Sequence, residues 1–172
     1  MSEVREKGRI AKEASFALLN VSAEDKNAAL SLIAEKLLSE KDYLIQENAH
    51  DLRAGKEAGL TESVLDRIML NEKRIEDMSA AIKLLIEMKD PIGEVLETIK
   101  KENGLFIQKK AVPIGVIGMI YEARPNVTVD AATLALKTGN AVVLRGSSSA
   151  KYSNVALVKI IHEALSQSAI TP

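Results

Sequence analysis

The chain has 172 residues, 47% of them hydrophobic, with 23 Lys and Arg against 24 Asp and Glu for a formal net charge of -1. That balance suits one globular domain with a real core, and without a basic stripe interleaved with aromatics it argues against nucleic-acid or membrane-surface partners. Cysteine is absent, which excludes disulfides, thiolate metal sites and a cysteine nucleophile within these residues.

The N-terminus, MSEVREKGRIAKEA, is charged and has no signal-like apolar core, and no apolar run approaches membrane-spanning length, so a cytoplasmic location is expected. Val4, Ala11, Ala14 and Leu18 recur at helical spacing and predict an amphipathic surface helix over about the first twenty residues. Ser22 with Asp25 three positions on resembles a capping box, followed by a stripe of Ala29, Leu30, Ile33 and Leu37. Leu44, Ile45, Ala49 and Leu52 predict a third helix that runs to the glycines at 55 and 59. Thr61 opens a short helix, and Asn71 caps a longer one with the stripe Ile75, Met78, Ile82 and Leu85, ended by Asp90-Pro91. Residues 1–90 therefore form a helical region.

The period then changes to that of strands. Residues 95–101 and 105–110 flank Asn103-Gly104, a strong hairpin signal because both residues tolerate positive φ. A hairpin arm over 94–110 is amphipathic and has no obvious intrachain cover, which suits self-association. Residues 112–120 form an apolar run expected to be a strand buried on both faces, with Gly115 and Gly118 allowing close packing inside it. A buried helix over 127–137 stops at Thr138-Gly139, and a second strand over 141–144 ends at Arg145-Gly146. Two strands joined by one helix imply parallel pairing. A last helix over 150–167 completes a β-α-β-α core spanning 112–172.

Two strand-to-helix junctions carry the chemistry. Arg145-Gly146-Ser147-Ser148-Ser149 offers backbone amides and a helix N-terminus to an anion, or is a turn that merely caps the helix. Tyr121-Glu122-Ala123-Arg124-Pro125-Asn126 sets a carboxylate, a guanidinium and an amide together. Either Glu122, Arg124 and Asn126 meet an anionic substrate, or a salt bridge and an N-cap from Asn126 explain them structurally. The G-x-G-x-x-G fingerprint is missing. His50 and His162 have no ligand spacing around them, so no metal is assigned.

At these junctions VPIGVIGMIYEARPNVTVDAA followed by LALKTGNAVVLRG resembles the gamma-glutamyl phosphate reductase family (glutamate-5-semialdehyde dehydrogenases) of the aldehyde dehydrogenase superfamily, along the whole chain but over that family's amino-terminal part only. The resemblance implies an α/β fold: an N-terminal helical layer, a β-hairpin arm and the first part of a parallel Rossmann-like cofactor-binding sheet, incomplete as it stands. It also implies NADPH-dependent reduction of gamma-glutamyl phosphate to glutamate 5-semialdehyde, a step of proline biosynthesis that passes through a cysteine thioester.

That cysteine is expected beyond residue 172, so the chain is read as a partial NADP-binding domain, without its catalytic domain and inactive alone. The rival reading is a non-catalytic nucleotide-binding or oligomerising remnant. By the same resemblance Arg145 stands where the superfamily usually carries a lysine for the adenosine ribose. Ser148 stands where NAD-preferring relatives carry a glutamate, which leaves room for a 2'-phosphate and favours NADP. Gly146 and Ser147 complete the cofactor turn, and Asn126 is a candidate for stabilising the oxyanion. The hairpin is expected to join subunits into a homo-oligomer, and glutamate kinase is a possible functional partner.

Overall fold

The structure is a computed structural model that describes residues 2–170. Five helices come first: α1 (Glu3–Leu18), α2 (Ala23–Ser39), α3 (Lys41–Glu57), α4 (Glu62–Ile68) and α5 (Glu72–Glu87). Ser22 Oγ accepts the Asp25 N–H at 3.0 Å and Asn71 Oδ1 accepts the Arg74 N–H at 2.9 Å, each satisfying an amide that the helix start leaves open. The Asp25 carboxylate accepts from the Ser22 hydroxyl (2.7 Å) and not from its backbone, so the box is half formed. α3 passes through Gly55, where an added Cβ would lie 3.0 Å from methyls of Leu60 and Leu65. Gly55 is thus the contact that lets α4 close in, and the helix stops just before Gly59.

One apolar cluster joins α2 and α5 to the two later helices, with Leu30, Leu37, Ile75 and Leu157 fully buried. Each such side chain stabilises the fold by about 1.5–3 kcal/mol. α2 is therefore a central helix, whereas α1 buries only Ala11 and Ser15.

β1 (Val95–Lys100) and β2 (Phe106–Lys110) pair antiparallel, with a bulge between Val95 and Glu97. The turn differs from the expected Asn-Gly pair. Gly104 alone has positive φ (84°), its N–H bonds to the Lys101 carbonyl at 3.0 Å, and the Lys101 N–H bonds to Leu105 at 2.9 Å. These bonds make a three-residue loop, a type I turn closed by a left-handed glycine. Every residue of both strands is exposed.

β3 (Val116–Ile120), α6 (Asn126–Lys137) and β4 (Ala141–Arg145) form the parallel unit, in register from Val116 opposite Ala141 to Ile120 opposite Arg145. A single 3-10 turn, Ser148–Ala150, leads into α7 (Lys151–Leu165).

The expected burial of 112–120 on both faces is corrected. The strand begins only at Val116, and Ile114 and Ile120 are 83% and 86% exposed. Its apolar run calls for cover, but among the described residues β3 has β4 on one edge and no strand on the other. The packing role expected of Gly115 and Gly118 is also corrected, because an added Cβ at either meets nothing within 4 Å. Gly115 precedes the strand at φ 113°, a conformation that favours glycine, and its N–H is held by Asn140 Oδ1 at 2.8 Å.

Candidate functional site

β4 carries Arg145 to the carboxyl edge of the sheet, where its carbonyl accepts the Tyr121 N–H at 3.1 Å. The Arg145 and Ser148 side chains are exposed, and no hydrogen bond or ion pair engages either among the described residues. Ser147 Oγ accepts the Ser149 N–H at 3.2 Å and shapes the turn. Gly146 sits in a close approach: a Cβ there would collide with the Asn154 amide and lie 2.9 Å from the Tyr121 hydroxyl, so both side chains would have to shift. A guanidinium and, three residues on, a hydroxyl are thus both exposed and unengaged at this strand end.

The N-terminus of α7 is capped from within the protein. Asp51, 3% exposed, accepts the Tyr152 N–H at 3.0 Å, the Ser153 N–H at 2.8 Å and the Ser153 hydroxyl at 2.6 Å. Its carboxylate takes the amides and the helix dipole that an anion would use. These two amides are therefore not open to an anion, and only residues 145–149 of the turn remain to offer one donors. Behind it Asn48 donates to the Ile68 carbonyl (2.7 Å) and to Ser153 Oγ (2.9 Å) and accepts the Leu70 N–H (2.7 Å). This network seats the start of α7 on α3.

The other junction differs from its structural reading. Glu122 and Arg124 form no salt bridge with each other; Glu122 faces Arg67 at 4.0 Å and is 89% exposed. Asn126 is not the N-cap. Pro125 occupies that position, and Asn126 is the first helical residue, its amide donating to Asp130 Oδ2 at 3.2 Å.

Arg124, Pro125 and Asn126 line a cleft of about 500 Å³ together with Arg67, Arg74, Asp77 and Asp130 from α4, α5 and α6. Burial pushes the Asp130 carboxyl above its ordinary range, against the Asn126 hydrogen bond. Glu122 stays outside the cleft lining. Sequence reasoning missed Asp51, Arg67, Arg74 and Asp130. Only Asp130 carried a local signal, as the one acidic residue in the apolar helix NVTVDAATLALK.

The profile of the aldehyde dehydrogenase family matches residues 1–170. The chain belongs to the aldehyde dehydrogenase family. Within it, the chain is similar to the gamma-glutamyl phosphate reductases over part of their length. It is 62% identical over 170 residues to the gamma-glutamyl phosphate reductase of Bacillus subtilis (strain 168), covering 99% of this chain and 41% of that protein. The crystal structure of gamma-glutamyl phosphate reductase from Thermotoga maritima superposes with TM-score 0.97 at 45% identity, over 99% of this chain and 41% of that one. The Saccharomyces cerevisiae structure of the same name gives TM-score 0.90 at 30% identity, over 97% and 42%. The chain thus spans about two fifths of the length of these relatives.

This aldehyde dehydrogenase-type chain has, among its described residues, no group of three His, Asp or Glu able to hold a metal ion. His50 packs beside Tyr152, with ring centroids 5.4 Å apart and the planes tilted by 39°. Among the described residues no helix is long and apolar enough to cross a membrane.

Proposed function

We propose that this chain is the amino-terminal part of a cytoplasmic, NADPH-dependent reductase that converts gamma-glutamyl phosphate to glutamate 5-semialdehyde and phosphate in proline biosynthesis. Residues 1–90 and 112–172 form its partial cofactor domain, and 94–110 is an oligomerising arm. Arg145 and Ser148 meet the 2'-phosphate and adenosine ribose, while Gly146 and Ser147 shape the turn. The observation that supports this most directly is the unengaged Arg145–Ser148 pair at a strand end, in a fold with TM-score 0.97 to a gamma-glutamyl phosphate reductase.

The substrate side is the Arg124–Asn126 cleft, with Glu122 at its outer edge. Asn126 can also donate a hydrogen bond to the oxyanion that develops as the acyl group is attacked. A thiolate attacks the acyl phosphate, phosphate leaves, and the resulting thioester accepts hydride to release aldehyde and thiolate. When bound, the nicotinamide supplies that hydride. The chain has 0 Cys, so the thiolate comes from outside these residues, and the chain alone has no reductase activity. Glutamate kinase, which makes the labile acyl phosphate, is the natural functional partner.

Titration calorimetry with NADPH tests the cofactor side. Weak binding that Arg145→Ala abolishes is expected, and an unchanged affinity in that variant rejects the assignment. Turnover by repeatedly purified chain, supplied with NADPH and with gamma-glutamyl phosphate made in place by glutamate kinase, would reject the requirement for an outside thiolate.

A further inference from the structure

Most charges that line or border the Arg124 cleft are already spoken for. Arg74 binds the Met69 carbonyl at 2.9 Å and the Asp66 carboxylate at 3.0 Å. Asp77 pairs with Lys73 at 2.7 Å, and Arg67 faces Glu122. Two charges remain. Among the described residues neither Arg124 nor Asp130 forms an ion pair, with each other or with any other side chain; the one hydrogen bond to the Asp130 side chain is the Asn126 amide at 3.2 Å.

A carboxylate accepts about four hydrogen bonds, and one partly buried with a single neutral donor is poorly compensated. On an otherwise apolar stretch of α6 a hydrophobic residue would satisfy the packing at least as well. Burial pushing this carboxyl upward agrees with a charge that waits for a cation. Asn126 adds an acceptor of its own, because its amide nitrogen is turned to Asp130 and its carbonyl oxygen makes no hydrogen bond among the described residues.

We propose that the cleft reads the zwitterionic α-amino acid head of the substrate, with Asp130 and the Asn126 carbonyl taking the ammonium and Arg124 taking the α-carboxylate. An ammonium has three donors and a carboxylate suits the planar guanidinium fork. Asp130 is then the residue that distinguishes a free amino acid head from an N-blocked one. This rests on the reading of the cleft as the substrate side, and it adds the group that sets specificity there.

The test is an NMR titration of the isotopically labelled chain with L-glutamate, N-acetyl-L-glutamate and the α-amide of L-glutamate as probes. On the unmodified chain, saturable shifts at residues 124–130 are expected with L-glutamate, and at least tenfold weaker binding with each of the other two. Asp130→Asn, checked for folding by circular dichroism, is expected to lose at least tenfold for L-glutamate while leaving N-acetyl-L-glutamate unchanged. Equal affinity of the unmodified chain for L-glutamate and its N-acetyl form overturns the role of Asp130, while binding of either still supports a carboxylate site at Arg124. Equal loss of both ligands in Asp130→Asn overturns it as well. Absence of binding by any of the three overturns the cleft as the substrate side together with this inference, and leaves the NADPH titration to judge the cofactor side separately.

Discussion

The Tyr121 hydroxyl, just past β3, lies 2.6 Å from Thr128 Oγ1 on α6. Thr128 has one hydroxyl proton and gives it to Asn154 Oδ1 on α7 at 2.9 Å, so Tyr121 is the donor to Thr128. The two strand-to-helix junctions are therefore tied together by a chain of side chains, and Thr128, with no exposed surface, is its hub. Thr128→Val keeps the shape and removes both bonds, stranding the Tyr121 and Asn154 groups. A loss of about 1–3 kcal/mol is expected, read as a lower urea midpoint with an unchanged slope.

Gly146 sits against the far end of the same chain. Gly146→Ala must push aside Asn154 and Tyr121, at a cost of about 1–3 kcal/mol. Thermal unfolding checks it. An alanine variant as stable as the parent would mean that the turn relaxes freely and that close approach does not require glycine here.

Asp51 makes three bonds to the start of α7 across a hundred residues of chain. Asp51→Ala leaves the buried Ser153 amide and hydroxyl and the part-buried Tyr152 amide without that partner, and about 3 kcal/mol of destabilisation is expected. Hydrogen exchange gives the sharper readout. Amides 152 and 153 should lose protection ahead of the rest of α7.

Asp90 links the helical region to the base of the arm. It pairs with Lys26, whose side chain is 3% exposed, and accepts the Ile92 N–H at 2.8 Å. Burial raises its carboxyl, but Lys26, the Ile92 amide and the nearby Lys137 outweigh that and hold it below its ordinary value of 3.8. A depressed folded pKa gives stability that is present above the unfolded value and is lost as pH falls through the folded one. Unfolding free energy should therefore drop on acidification below about pH 4, and Asp90→Asn should flatten that part of the curve while lowering stability at neutral pH.

Lys137 follows the opposite branch of the same linkage. Its amine donates to Asn27 Oδ1 at 2.8 Å and to the Ile86 carbonyl at 3.2 Å, and burial lowers its pKa from 10.5, against the pull of Asp90 and with the push of Lys26. The unfolded chain binds this proton more tightly, so stability rises with pH between the folded value and 10.5. Replacing Lys137 with Met should remove that alkaline rise in a denaturation series.

In the arm Leu96, Phe106 and Leu105 are 59%, 54% and 54% exposed, more apolar surface than a free hairpin keeps in water without a partner. Deleting residues 95–110 should lower the mass seen by sedimentation toward that of a monomer. An unchanged mass would count against the arm as the joint.

Local chemistry alone determined much of this protein. Caps at Ser22 and Asn71, apolar stripes at helical spacing, a glycine after α6 and two β-branched runs depend on neighbours within a few residues, so the element order and the parallel unit were legible without coordinates. The resemblance carried by the two junction motifs supplied the family by the same route. What only the tertiary structure decided depends on residues far apart in sequence. No periodicity announces that Asp51 would cap a helix about a hundred positions later, or that Arg74 would be tied up while Arg124 forms no ion pair among the described residues. A local pattern states what a segment needs, such as a cap, a counter-charge or cover; which distant segment provides it is settled by how the helices pack.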